Sequence, residues 1–365
     1  MTIRSETFRC KRNLALAHVS EMAGFLLKAM ARIHGRRISN SPHEWRSAIL
    51  LGADHIGDLL YRSSSLEALS KAFPECKWHF VAPPPGNEIL RNNPYLAGVH
   101  ASLAEAVATT TFDAAICYDT GTYWPLLLKV IRAGIPNRVA YVHKGFSGWV
   151  THPIEIRYPQ AFPGYFRDLV AQLADVPADW NLRPRAFPVS VDELLASRLH
   201  DELGTRIDSR PVITCFVTSR QPAGVWPAEN YVRTLEIIQA KFPVRILFSG
   251  APGDLPKINQ LLATSSLEAD VICGRLPLLA LVAFLRDCDA VFSTDSGPRH
   301  LANAAGTPVF FVRNLSFHPV EAGAYCETDH DLTADLGLCT NPEAALDSVT
   351  PEEVAQAIIN QLGLV

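Results

Sequence analysis

From Ser47 onward the chain alternates short apolar runs with longer stretches of helical spacing, and it does so twice. Residues 48–52 (AILLG) are an apolar run ending in a turn, the pattern of a buried parallel strand. Helical spacing follows over 58–72 and is closed by Phe73-Pro74. Residues 78–82, 114–118 and 138–141 read as further strands, with a helix over 125–133. A second run starts at 211–217, a predicted strand, and continues with strands at 244–249, 270–273, 290–294 and 308–312. Predicted helices lie at 227–242, 278–287, 299–305 and 351–362, the last with Thr350 as N-cap and Pro351 in its first turn. Strands alternating with helices imply parallel, doubly wound sheets. Residues 176–192 are rich in proline and lack periodicity, as expected of an interdomain linker. The expectation is α/β: two doubly wound, Rossmann-like domains facing a cleft, with ligands at the carboxyl ends of the strands. The boundaries read as an extension at 1–46, domains at 47–180 and 181–350, and a closing helix at 351–365.

Composition supports folding without naming a partner. The chain has 365 residues, 48% hydrophobic and 19% charged, enough for two cores. Its net charge of -4 gives no reason to invoke nucleic acid. The distribution is uneven: residues 1–46 carry nine Lys and Arg against three Glu. A basic head on an acidic body points to an anionic surface such as phospholipid, or to a solvated first helix. Residues 14–33 hold Val19, Met22, Phe25, Leu26, Met30 and Ile33 at helical spacing. His18, Glu21, Lys28 and Arg32 interrupt them, too many polar groups for a membrane span. The segment suits a helix lying on a membrane, or one packed on the body. The start does not read as a signal peptide. Eight scattered cysteines without a CxxC or a Cys/His cluster read as reduced thiols in a cytoplasmic protein.

Four polar loops follow predicted strands. Asp54-His55-Ile56-Gly57-Asp58 comes after the first. A carboxylate at Asp58 could take a proton from an acceptor hydroxyl, or could simply cap the helix, and spacing alone favours the cap. Asp295-Ser296-Gly297-Pro298-Arg299-His300 offers backbone N–H groups at a helix start, a ready phosphate site. There Asp295 suits holding the loop, and His300 suits donation to a diphosphate or a solvated surface. Thr218-Ser219-Arg220 pairs hydroxyls with a guanidinium, again fitting a diphosphate. Gly250–Asp254 places a carboxylate where a ribose could be held. No GxGxxG, Walker or GxSxG motif is present. Asp287-Cys288-Asp289 is formally a DxD, but it ends a predicted helix before an apolar strand and reads as structural.

Two stretches carry a family resemblance. ILLGADHIGDLLYRSSSLEALSKAFPE resembles the opening strand, IGD turn and helix of glycosyltransferase family 9, the heptosyltransferases. VFSTDSGPRHLANAAGTPVFF resembles that family's second signature, D-[ST]-G-x-x-H-L-x-x-A-x-G-x-P, and is the longer match. The likeness runs over about residues 47–363. It implies a GT-B fold, with acceptor on the N-terminal domain and nucleotide-sugar on the C-terminal one. It implies inverting transfer without a metal or other cofactor. Asp58 is then the general base, and Asp54, His55 and Gly57 form the acceptor-side loop. Thr218, Ser219, Ser296, Gly297 and His300 surround the diphosphate, Asp254 the ribose and Leu276 the base, while Asp295 anchors its loop. The implied donor is ADP-heptose. The implied acceptor is a lipopolysaccharide core on the inner face of the cytoplasmic membrane, where a basic first helix would make peripheral contact. The sequence departs from the family at Gly52, at Gly224 and at Arg313-Asn314-Leu315, where the family often has a basic residue, a lysine and Gly-Pro-Thr. A degenerate GT-B domain that binds without catalysis, or a nucleotide-sugar epimerase of the same architecture, are the competing readings.

Overall fold

The computed structural model describes residues 14–21, 39, 41–52, 55–118, 124–145, 147–219 and 225–364. The chain divides into two compact units, Met1–Leu182 and Arg183–Val365.

In the first unit six strands form one parallel sheet: β1 (Ser47–Leu51), β2 (Lys77–Val81), β3 (Gly98–His100), β4 (Ala114–Cys117), β5 (Asn137–Tyr141) and β6 (His152–Ile154). Their order is β3-β2-β1-β4-β5-β6. β1 lies between β2 and β4, with Leu50 beside both Phe80 and Ile116. Ala48, Ile49, Leu50 and Leu51 are all buried, which is why the run is apolar without alternation. The order reverses between β1 and β4. At such a switch point the connections leave on opposite faces and open a crevice at the strands' carboxyl ends. Gly52 leaves β1 at φ +104, a region costly for any residue with a Cβ, and turns the chain into the Ile56–Ala72 helix. That helix packs on the Phe162–Ala174 helix, with Tyr61 stacked on Phe162.

Residues 14–21 are helical. Ala17 is buried beneath Gly145, and Glu21 accepts hydrogen bonds from the Ser147 backbone N–H (2.9 Å) and hydroxyl. Leu16 and Val19 are exposed. The rest of the expected 14–33 helix lies outside the described residues. No described helix is long and apolar enough to cross a membrane.

The second unit holds β7 (Val212–Phe216), β8 (Arg245–Phe248), β9 (Ala269–Val271), β10 (Ala290–Thr294), β11 (Val309–Val312) and β12 (Asp329–Asp331). Their order is β12-β11-β10-β7-β8-β9, all parallel, so the switch point lies between β7 and β10. One apolar core joins Ile213, Trp226, Tyr231, Phe248, Phe292 and Phe310 to Val354 and Ile358 of the closing Pro351–Leu362 helix. Trp226 Nε1 donates to Val349 O (3.0 Å), so the closing helix belongs to this core. The expected linker 176–192 runs into the start of the Ser190–Leu203 helix. The formal DxD is structural: Asp289 accepts the Val212 N–H (2.8 Å) and Asp287 pairs with Arg206 (2.5 Å).

Candidate functional site

Two of the expected phosphate loops meet at the β7–β10 switch point. Thr218 and Ser219 follow β7, and Asp295 and Ser296 follow β10. The link is Thr294, the last residue of β10. Its Oγ1 donates to Thr218 O (3.1 Å) and so accepts from the Ser296 hydroxyl at 2.8 Å. Ser296 is the N-cap of the Gly297–Ala305 helix, but its side chain makes no cap bond. Arg299 N–H folds back to Ser296 O (3.0 Å) and Pro298 has no N–H. The Gly297 N–H is left as a first-turn donor at the positive end of the helix.

Behind this loop lies a buried ionic network. Asp295 Oδ1 accepts from Arg299 Nη1 (2.8 Å) and Oδ2 from Asn314 N–H (3.3 Å). Arg299 is fully buried and spends all five donors. Nε and Nη2 clamp Asp329 in a bidentate pair (3.0 and 2.7 Å). Nη1 also reaches Ala322 O and Nη2 Gly323 O, each at 2.7 Å. Its plane lies 3.5 Å from the Phe311 ring centroid. Burial raises Asp295 above the usual carboxylate range, against the opposing pull of Arg299. Burial also acts on Asp329, but Arg299, Asn303 and the Tyr325 N–H outweigh it and hold that carboxyl low. Asp295 has a single N–H···O contact from the guanidinium, and Asp329 has two.

His300 is buried, not solvated. Its Nδ1 lies 2.7 Å from Tyr325 Oη, which itself accepts from Asn303 Nδ2 (2.9 Å). The tyrosine hydroxyl thus links the ring to Asn303. Burial, then the neighbouring Arg299 charge, pushes His300 down to about 3. The ring is neutral in the native protein.

The other expected donor residues sit in loops of the same sheet. Asp254 ends a short helical turn, and its Oδ2 accepts the Ala251 N–H (2.7 Å). Leu276 is half-buried in the bend before the Leu278–Arg286 helix. Arg220 lies outside the described residues.

In the first unit, Asp58 is not the N-cap that spacing favoured. The helix starts earlier, at Ile56. His55 is its N-cap and makes no side-chain cap bond, and Gly57 and Asp58 are the second and third helical residues. The first helical turn closes early, with the Leu59 N–H donating to His55 O (3.0 Å), so Asp58 falls inside it. Asp58 is half-exposed, and its Oδ1 lies 3.8 Å from Nη1 of Arg62, one turn on. His55 is exposed. Asp54 lies outside the described residues. Among the described residues, no group of three or more His, Cys, Asp or Glu could hold a metal ion.

The model of glycosyltransferase family 9 (heptosyltransferase) matches residues 101–312, more than half of the chain. The chain belongs to glycosyltransferase family 9. The Thr294–His300 region lies within the matched residues and Asp58 lies ahead of them. Lipooligosaccharide heptosyltransferase 2 of Haemophilus influenzae is 23% identical over 289 residues, 72% of this chain and 81% of that protein. Two solved structures share the fold. A glycosyl transferase of family 9 from Veillonella parvula has a TM-score of 0.72 at 17% identity, covering 89% of this chain and 99% of its own. The ADP-heptose LPS heptosyltransferase II of E. coli has a TM-score of 0.68 at 18% identity, covering 87% and 98%. The family member is thus a glycosyltransferase of GT-B architecture.

Sequence reasoning missed Thr294, Arg299, Asp329, Tyr325 and Arg62. Three had a signal. Thr294 and Arg299 stand inside the quoted signature stretch, and Arg62 stands four residues after Asp58, the spacing of a helical ion pair. Asp329 and Tyr325 are over twenty residues from Arg299 and carry none.

Proposed function

We propose that this enzyme transfers heptose from ADP-heptose to a lipopolysaccharide-core acceptor with inversion, using Asp58 as general base and no metal. In this reading Asp58 takes the proton of the acceptor hydroxyl. The oxygen attacks the anomeric carbon from the face opposite the leaving group. The bond from that carbon to the diphosphate oxygen breaks as the new glycosidic bond forms, and ADP departs with the electron pair. Ser296 and the Gly297 N–H receive the diphosphate with Thr218 and Ser219 beside them. Arg220, Asp254 and Leu276 complete the nucleotide site, and Asp54, His55 and Gly57 line the acceptor loop. The observation that carries the reading is the hydrogen-bonded chain from the Ser296 hydroxyl through the Thr294 hydroxyl to the Thr218 main-chain carbonyl, which joins two polar loops at a switch point beside a helix N-terminus. The E. coli relative is an ADP-heptose LPS heptosyltransferase, and the Haemophilus relative is a lipooligosaccharide heptosyltransferase. The 1–46 extension, with the basic 14–33 segment, is assigned to peripheral contact with the inner membrane face, where the acceptor would be met.

The test is calorimetry with ADP, UDP and GDP, followed by transfer assays with EDTA present. ADP should bind in preference to the other two, and turnover should persist in the chelator. Asp58→Asn should lower kcat by about 10²–10⁴-fold. Preference for UDP or GDP would keep the glycosyltransferase and remove the heptose assignment. Binding of ADP without turnover on any glycan acceptor would favour the degenerate domain.

A further inference from the structure

Arg62 lies at the switch point of the first unit and contacts all three elements that meet there. Nη2 donates to Gly52 O (3.1 Å), at the end of β1. Nη1 donates to Asp58 O (2.5 Å) in the first turn of the helix. The guanidinium plane lies 4.1 Å from the ring centroid of Tyr118, the first residue past β4. The side chain is 11% exposed, and its Nε is buried without a hydrogen-bond partner among the described residues. A charge held this deep, with its Nε unpaired, is not placed for its own solvation. The two carbonyls it joins are the two ends of the turn that delivers Asp58. Gly52 has no side chain with which to fix that turn. The ion pair at 3.8 Å is too long to fix the carboxylate directly, so the main-chain bonds carry the constraint.

We propose that Arg62 is a positioning residue of the transfer reaction, a single guanidinium fork that ties Gly52 O to Asp58 O and so fixes where the Asp58 carboxylate stands. This rests on the reading of Asp58 as the base. A lysine keeps the charge but places its donors on one nitrogen, and it cannot span two carbonyls as a planar fork does. A misplacement of about 1 Å costs on the order of 10²-fold in rate.

The experiment compares wild type, Arg62→Ala, Arg62→Lys and Asp58→Asn in the full chain, with ADP affinity measured on each. Arg62→Ala should lose about 10²-fold in kcat with ADP affinity unchanged. Arg62→Lys should stay at least about tenfold below wild type. Guanidinium chloride at tens of millimolar, roughly, should restore much of the Arg62→Ala rate, where the same concentration of ammonium chloride should not. A role confined to stability would show no such rescue in a folded variant. Wild-type kcat in Arg62→Lys, or a folded Arg62→Ala that guanidinium does not rescue, overturns the proposal. If Arg62→Ala fails to fold, the Lys variant decides alone, lowered kcat supporting the fork and wild-type kcat overturning it. If Asp58→Asn is inactive while both Arg62 variants turn over normally, only the Arg62 proposal falls. If Asp58→Asn turns over normally, the base assignment falls and takes this one with it.

Discussion

Asp295 and His300 stand five residues apart at the same switch point, Asp295 just before the helix and His300 in its first turn, and Arg299 acts on both. Burial raises the Asp295 carboxyl while the guanidinium opposes it. For His300, burial and the guanidinium act together and push the ring from 6.5 to about 3. An unfolded histidine takes its proton near pH 6.5, and the native ring refuses one until about pH 3. Across that window the unfolded state binds more protons, so native stability falls as pH falls. His300→Gln removes this single contribution. Between pH 7 and 5 the urea-derived stability of the variant should drop by about 2 kcal/mol less than that of wild type. Equal drops would mean that the ring takes protons in the folded protein. At this scale the sequence was partly legible. The DSGPRH loop announced a polar cluster after a strand, but not that His300 would be dry. Its dryness comes from Tyr325, twenty-five residues later, and no local pattern encodes that contact.

Among the elements, β12 shows what periodicity does not see. Its sequence, Asp329-His330-Asp331, has no apolar alternation, yet it pairs with β11. Side chains hold it there: Asp329 is clamped by Arg299, and His330 stacks on Phe310 at 4.8 Å. The same guanidinium holds Ala322 O and Gly323 O at the end of the Pro319–Ala322 helix. One side chain therefore joins the signature helix, a short helix and an edge strand. Arg299→Met should cost about 3–5 kcal/mol in chemical unfolding, because it strands Asp329 and Asp295 in the interior. Adding Asp329→Asn should recover part of that loss. A cost below about 1 kcal/mol would show that this region is held by packing instead. β3 and β6 escaped the sequence reading for a related reason. Both are three-residue edge strands with a histidine, His100 bonded to His79 and His152 set edge-on to Trp45. Central strands such as β1, β4 and β10 were legible because burial on both faces leaves an apolar run. Edges are short and polar, and their register comes from contacts across the sheet. The Phe162–Ala174 and Ser190–Leu203 helices also went unread, lying against the proline-rich stretch whose breakers dominated the pattern.

For the whole molecule, the informative feature is repetition of one strand order. Each unit runs outward from its first strand to its third, returns past the first, and runs outward again. Each therefore has its own switch point, its own core and its own polar loop there. The proposed function divides labour between them, with nucleotide bound by the second unit and the acceptor activated by the first. Two sites built on separate cores should respond to substitution independently. Asp58→Asn should keep the ADP dissociation constant within about twofold of wild type while turnover collapses. Asp295→Ala removes the anchor of the Ser296–Gly297 loop and should weaken ADP by about tenfold or more, or about 1.4 kcal/mol. The double variant should bind ADP as Asp295→Ala does. Weakened ADP binding in Asp58→Asn alone would mean that the first unit takes part in holding nucleotide. In that case the acceptor-side loop would be a donor contact as well, and the Asp58 effect on turnover would have to be separated into binding and proton transfer by measuring kcat at saturating donor.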